Sequence, residues 1–543
     1  MKLDTLITNA RIETLDASRP AARVMGVLHG RIVGFDGDVS DLPARRVVDA
    51  AGSVVVPGFN DAHCHTAWFG LGLDDLNMEG VTSIAEVMSR LDTGAAALAS
   101  DAWVLGTGYP SADFGGRFPS IDDLDRISAG RPLVLRSYSG HSLVANTRAL
   151  ELGGVLQAGF TVPTGGLVHR DERGAPTGVL EEKAQNLVLD LVRPYSRETL
   201  VEALDRATAV YAREGITSFT EAGIGAGMIG HSPVELAAYQ QAVGSGRLHA
   251  RAQVMPTFDS LSALHASASD GDGMGLALGA RSGFGDDELS LGPVKMFFDG
   301  GITGETAALT DPYSHKHGHG YLTDDPAKLV ELAGRAGAAG WSLAIHAIGD
   351  AAVDAALDAI DAARQCRSVD ALPDRIEHAA LVRPDQLERI RRAGVAVAPQ
   401  TAFFPATGDV MLRHVGPDRA RYFYRAQSFL DAGVVMAGSS DRPCTNLTAL
   451  QCIESYVTRE TGSGAVSGPD AEKLSGESAL RVYTQGSAAA TGRAGRVGTL
   501  REGMLADFVL LSESPSTVEP HAISAIEVRA TALGGDFTFN SGF

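Results

Sequence analysis

Cysteine is scarce in this chain: Cys64, Cys366, Cys444 and Cys452 are the four in 543 residues, and no two stand in a CxxC spacing. So few thiols exclude a disulfide framework and fit a reducing compartment. Positive charge is in short supply as well, with 46 Lys and Arg against 66 Asp and Glu and a formal net charge of −20. That balance repels nucleic-acid phosphates and anionic membrane surfaces, so neither is expected as a partner. No apolar run approaches a membrane span, and the opening Met1-Lys2-Leu3-Asp4 shows neither a basic n-region nor an apolar h-region. A cytoplasmic location is the expectation. Short-period repeats, low-complexity stretches and a phosphate-cradling glycine motif are also missing.

What the chain does have is length enough for one large domain with a smaller one beside it. The first 55 residues read as short strands separated by turns: Thr5 to Thr8, Arg11 to Leu15, Ala22 to Leu28, Arg31 to Phe35 and Arg46 to Asp49. Such a unit cannot bury both faces alone. Residues 491–543 carry the same character in Gly498 to Leu511 and Ile526 to Leu533, which predicts one discontinuous β domain built from both ends. Between them, over residues 56–490, strand-like runs alternate with Ala/Leu-rich helical stretches. The strands include Trp103 to Gly106, Pro132 to Ser137, Thr217 to Glu221, Pro293 to Phe298, Trp341 to His346, Arg375 to Ala379 and Val434 to Ser439. Strand, helix, strand order predicts an α/β fold with a parallel sheet, either doubly wound or closed into a (β/α)8 TIM-type barrel, and length favours the barrel. Two excursions interrupt it. The segment at about 71–200 holds Tyr138 to Ser142 (YSGHS) and Gly165 to Gly178, and it reads as inserted loops and hairpins able to form a lid; Asp311 to Tyr321 holds SHKHGHG.

The chemistry starts at Val54 to Thr66, VVVPGFNDAHCHT. In a strand, side chains two apart share a face, so His63 and His65 converge while Cys64 points away. Neutral imidazole is a common ligand of divalent metals, and the pair reads as half of a metal site. Further strands finish on ligand-type residues: Lys295 before Asp299-Gly300-Gly301, then His346, His378 and Asp441. One histidine after an apolar run is more often a hydrogen-bonded core residue. Six ligand-type residues ending successive strands point instead to a common barrel mouth holding metal. His315, His317 and His319 look more like a metal tract by spacing, yet lie among Gly, Ser and Lys without a strand to orient them, and they are expected to spare the catalytic metal. His141 in YSGHS is placed to donate to substrate, Asp299 and Gly300 to shape the pocket, and Trp68 to line it; for Trp68 and Phe69 ordinary packing competes with that role.

The stretches PGFNDAHCH (Pro57 to His65), VKMFFDGGITGETAAL (Val294 to Leu309), AIHAIGD (Ala344 to Asp350), RIEHA (Arg375 to Ala379) and GSSDRP (Gly438 to Pro443) resemble the amidohydrolase superfamily, in its YtcJ-like, N-substituted formamide deformylase-like branch, amidohydrolase family 3. The resemblance implies a (β/α)8 barrel beside a β-sandwich made by the chain ends. It further implies one metal at His63 and His65 with Asp441 near it, Lys295 as a carboxylated bridging ligand, and a second site completed by His346 and His378. The cofactor implied is Zn²⁺, as one or two ions. The expected activity is hydrolysis of a C–N bond in an amide-like, N-acyl or N-formyl small molecule by metal-activated hydroxide, with Asp441 moving the proton. Ester, carbamate or lactone hydrolysis would use the same site, and a silent metal-binding regulatory protein is the reading outside catalysis. Self-association as a homodimer is compatible with the sequence.

Overall fold

Two strands, Ile216–Ile224 and Leu343–Ala347, are buried at every position. Burial on both faces is the signature of parallel strands covered by helices, and it selects continuous apolar runs in place of alternation. In the computed structural model, which describes residues 2–78, 80–99, 102–265, 267, 273–315, 317–369 and 372–542, each of these strands is central to a four-stranded parallel sheet. In spatial order the first sheet is Leu289–Leu291, Arg251–Pro256, Ile216–Ile224 and Phe59–Cys64. The second is Val294–Phe297, Leu343–Ala347, Arg375–His378 and Ala396–Ala398. A parallel bridge from Thr257 to Lys295 links their adjoining edges. At the far edges Val397 bridges Met436, and the Ala62 amide donates to Gly438 O at 3.0 Å.

Helices return the chain between strands. Pro326–Ala338 begins where Asp325 accepts from the amides of Ala327 and Lys328, with Pro326 in the first turn. It packs on Asp350–Cys366 so closely that a Cβ at Gly337 would fall 2.2 Å from Ala363 O. The small residues in both helices permit that approach. No described helix is long and apolar enough to cross a membrane.

The two chain ends share a sheet. Val54–Pro57 pairs antiparallel with Phe508–Leu511, and the six-stranded order runs from Asp536–Asn540 through these two to Arg11–Glu13 and Ala21–Ala22. A four-stranded sheet of Arg31–Phe35, Met25–Leu28, Leu3–Thr8 and Ala44–Asp49 accompanies it. One apolar cluster joins Ile7, Ile12 and Val55 to Phe508, Leu510 and Ala530.

Two expectations change. Trp103 to Gly106 and Pro132 to Ser137 are strands, Val104–Tyr109 and Leu133–Ser137, but they belong to a separate six-stranded sheet spanning Leu76–Asn77 to Pro176–Glu182. Local periodicity reports a strand without saying which sheet it joins; here a tight turn after Ser137 reverses the chain and pairs Leu133–Ser137 antiparallel with Ser142–Ala145. The insertion is therefore a sheet with apolar clusters of its own. Val434 to Ser439 is not a strand, and Met436 makes only the single bridge. The Gly438 amide bonds Val482 O and Ser487 Oγ, groups outside any ladder.

Candidate functional site

The strand Phe59–Cys64 ends one residue before His65, which leads into the helix Thr66–Gly72. His63 and His65 are 5.5 Å apart between ring centroids, His63 and His378 5.1 Å, and His346 and His378 4.4 Å. Asp441 closes the group: its Oδ1 lies 3.3 Å from His63 Nε2 and 3.2 Å from His65 Nε2, and its Oδ2 is 3.9 Å from His378 Nδ1. All are buried. His63 Nε2 and Asp441 Oδ1 are enclosed polar atoms with no hydrogen-bond partner; His65 Nδ1, also without one, turns toward Glu221 Oε1, 3.8 Å away, and leaves Nε2 to the cluster. Orphaned donors and acceptors are costly in a protein interior unless something completes them. A divalent cation fits: neutral imidazoles and a carboxylate converge, and His63, His378 and Asp441 can each offer an atom to one ion.

The residues behind the cluster fix its tautomers. His63 Nδ1 hydrogen-bonds the Glu377 carboxylate, which also takes two bonds from Arg375, at 2.8 and 2.7 Å. Against the upward push of burial, Arg375 and His63 hold the Glu377 carboxyl below its ordinary range. Gln400 Nε2 donates to Ser439 Oγ, so its Oε1 is the acceptor for His378 Nδ1 at 2.7 Å. His346 points Nε2 at Gly300 O, 3.4 Å away, which leaves Nδ1 for a ligand. Burial lowers His65 to about 4 and His378 to about 3, so both rings are neutral and have a lone pair to give. For Asp441 burial would raise the carboxyl, but His63, His65 and His378 hold it well below its usual range. His378 and Asp441 both sit at positive φ, 69° and 58°. Non-glycine residues rarely adopt that region, and strain of this kind gathers at functional sites.

Lys295 is 1 % exposed, with Nζ 4.9 Å from the Phe297 ring centre, and it has no ion-pair partner among the described residues. Burial draws its amine down to about 8.

A cavity opens on this group, walled by His63, Lys295, His346 and Asp441 from the parallel strands and their loops, and by Trp68 and His141 beside them. His141 Nδ1 is 3.0 Å from Glu182, whose Oε1 accepts from Thr306 Oγ1. Asp299 stands behind His346, its Oδ1 3.6 Å from Nε2, and its carboxylate also accepts from the amides of Ala308, Ile348 and Gly349; burial pushes it up to about 7. Gly300 backs onto Thr306 and Glu182, where a Cβ would approach within 2.1 and 2.4 Å, while Gly301 to Thr303 supply the cavity wall. Phe69 stacks on Tyr211, away from the cavity. Cys64 turns to Thr66 and Thr220.

His315 gathers with Glu305 and His414 in a second, shallower cluster. His317 is exposed, His319 Nδ1 lies 3.2 Å from Thr310 O, and Lys316 of the same run is outside the described residues. Sequence reasoning overlooked Glu377, Gln400, Glu182 and Arg136. Arg136 had a visible signal, a charge inside the otherwise mostly apolar strand LVLRS; Glu377, in RIEH, and Gln400 and Glu182 had none of that kind.

The amidohydrolase family profile matches residues 46–539. The chain belongs to the amidohydrolase family. It is 29 % identical over 545 residues to an N-substituted formamide deformylase of Arthrobacter pascens, covering 98 % of this chain and 97 % of that one. It is 28 % identical over 502 residues to YtcJ of Bacillus subtilis (strain 168), which bears an amidohydrolase name, covering 92 % and 91 %. Among solved structures it resembles an uncharacterized metal-dependent hydrolase from Pyrococcus horikoshii OT3, with a TM-score of 0.74, 25 % identity, and coverage of 95 % of this chain and 99 % of that chain. This amidohydrolase-family chain thus has an α/β fold and hydrolase relatives along nearly its whole length.

Proposed function

We propose that this protein is a metal-dependent hydrolase that cleaves a C–N bond in an amide-like, N-acyl or N-formyl small molecule. The observation that carries the reading is the convergence of buried His63, His65, His378 and Asp441, with His63 Nε2 and Asp441 Oδ1 enclosed and without hydrogen bonds, beside a buried Lys295 that has no ion-pair partner among the described residues. In this reading His63, His65 and Asp441 would hold one ion, zinc being the choice for nitrogen and oxygen donors, and His346 and His378 would hold a second. Lys295, once carboxylated, would add oxygen donors to the site. An ammonium is a cation and no ligand, whereas a carboxylated amine offers two oxygens, and the apolar surroundings that disfavour the ammonium favour the free amine that carboxylation needs.

When bound, a divalent ion acidifies water toward neutral pH and polarises a carbonyl as a Lewis acid. The chain does the rest. Asp441, held ionised by three imidazoles, accepts the proton of the attacking water and delivers it to the leaving nitrogen as the C–N bond breaks. His141, kept by Glu182, faces the same cavity and donates to the substrate oxygen. The cavity's other walls, with Ile302, Ile348 and Phe403, exclude water and suit an apolar acyl or amine group.

The architecture proposed with this function is a closed (β/α)8 barrel over residues 56–490, supported by the bridges at both edges of the two parallel sheets. Beside it stands a β-sandwich from residues 1–55 and 491–543, supported by the Val54–Pro57 pairing with Phe508–Leu511.

The test is metal analysis followed by a screen of N-formyl, N-acyl, carbamate and ester compounds before and after chelation. Stoichiometric zinc, with amide turnover lost on chelation and restored by metal, is expected. Full activity in metal-free protein, or turnover of esters alone, overturns the reading. A mass increase on Lys295 that vanishes in acid would identify the carbamate.

A further inference from the structure

Arg136 stands apart from the other buried arginines. Arg375, Arg442, Arg459 and Arg493 each donate to carboxylates, hydroxyls or backbone carbonyls. Arg136 is 7 % exposed, and its guanidinium makes no hydrogen bond or ion pair among the described residues; Nε and Nη2 are enclosed without a partner. What holds it is Trp68, whose ring centre lies 3.7 Å from Cζ. Stacking uses the face of a guanidinium, worth about 2 kcal/mol when desolvated. Its N–H bonds lie in the plane, and the stack leaves the three on Nε and Nη2 enclosed and unsatisfied.

The side chain projects from the inserted sheet, on Leu133–Ser137, into the wall between the metal-site cavity and a neighbouring one of about 490 Å³. Asp75 lines the second cavity and acts on Arg136 through space, but the two form no ion pair or hydrogen bond that would occupy the in-plane N–H groups. Arg193, also there, is satisfied by Gly227 O and Met228 O. A buried cation without a counter-charge is strongly disfavoured in a resting protein, and it persists where a ligand supplies the anion. The in-plane fork of a guanidinium matches a carboxylate bidentately. Trp68 ties this fork to the metal centre, since its ring lies 5.8 Å from that of His65.

We propose that Arg136, set by Trp68, binds a substrate carboxylate, so that the substrates are anionic amides with a carboxylate only a few bonds from the scissile C–N bond. This rests on the amide-hydrolysis reading for its chemistry, though not for the anion site itself. Arg136 is a specificity residue and moves no proton.

Two measurements test it. The first compares kcat/KM of the holoenzyme on N-formylphenylalanine and N-formylphenethylamine, which differ only by the carboxylate. A preference for the acid of about tenfold or more is expected from a charged hydrogen-bonded pair. It should shrink toward unity in Arg136→Met and survive in part in Arg136→Lys. The second is calorimetric binding of 3-phenylpropionate, which has no scissile bond, against 3-phenylpropanol. Binding of the acid alone, lost in Arg136→Met, is expected, with a Tm for that variant no lower than that of the unsubstituted protein, because an unpaired buried charge has been removed. Equal rates on both formamides, or acid binding unchanged in Arg136→Met, overturns the proposal while leaving hydrolysis standing. A fall in Tm with no carboxylate preference in the unsubstituted enzyme overturns it too, and makes Arg136 structural. Acid binding that depends on Arg136, without turnover of any amide, keeps the anion site and removes the hydrolysis reading instead.

Discussion

Two clusters in this protein offer the same ligand chemistry, imidazoles and a carboxylate within reach of one point, and they differ in what stands behind them. His63 and His378 lie on parallel strands, Asp441 follows the segment whose Met436 bridges Val397 at a sheet edge, and all three are buried; Glu377 and Gln400 hold the ring nitrogens that face away. Glu305, His315 and His414 sit on a loop and a helix at the cavity's rim, with the His315 side chain 48 % exposed. The second cluster is also closed on itself. His315 Nε2 meets Glu305, and His414 Nδ1 donates to Ile302 O at 2.9 Å, so the group satisfies its own polar atoms. In the first, His63 Nε2 and Asp441 Oδ1 are left without hydrogen bonds. Ligand type does not separate the two. Orientation by rigid elements and unmet polar demand do.

The largest expected effects fall on the buried cluster. His63→Ala should remove metal and activity together, seen as a loss of metal per chain by elemental analysis, while circular dichroism stays native. Asp441→Asn should lower kcat by about 10²- to 10⁴-fold, the usual contribution of a positioned acid–base group. Near-normal turnover in a metal-replete Asp441→Asn protein would remove Asp441 from the proton path and leave it as a ligand only.

Smaller effects belong to the residues behind the ligands. Glu377→Gln keeps the shape and a hydrogen-bond acceptor but leaves Arg375 without its charge partner. Metal affinity should fall about 10- to 100-fold, read by competition with a chromophoric chelator. Some stability should be lost as well, because Arg375 and Glu377 are both wholly buried and breaking such a pair is costly. Affinity equal to that of the unsubstituted protein would mean that the two clusters differ by burial alone, not by support.

The candidate ligands were legible because they stand in or just after apolar runs, and the structure brings His63, Lys295, His346, His378 and Asp441 to one cavity, Lys295 from within the strand Val294–Phe297 and not from its end. Helices such as Pro326–Ala338 and Pro384–Ala393 each open on a proline that marks their start in the sequence, and Asp325 caps the first. What stayed hidden depends on tertiary pairing. No local pattern says that Leu133–Ser137 leaves the main sheets, that Gln400 turns toward His378, or that Asp299 serves three amides in place of substrate. Arg136 shows the limit most clearly: its charge is visible in LVLRS, but its lack of a partner exists only in three dimensions.

The smallest expected effect is at the rim. His315→Ala removes the half-exposed member of the second cluster and leaves Glu305 3.7 Å from His414. An exposed ion pair contributes about 0–1 kcal/mol, so Tm should barely move. Metal per chain should equal that of the unsubstituted protein, because His315 is not among the residues lining the metal-site cavity. His141 and Thr303 line both cavities, so a modest change in KM is compatible with the comparison. A loss of metal is not. If His315→Ala lost metal in proportion to activity, a loop histidine would be doing the work assigned to rigid strand ends, and the contrast between the clusters would collapse.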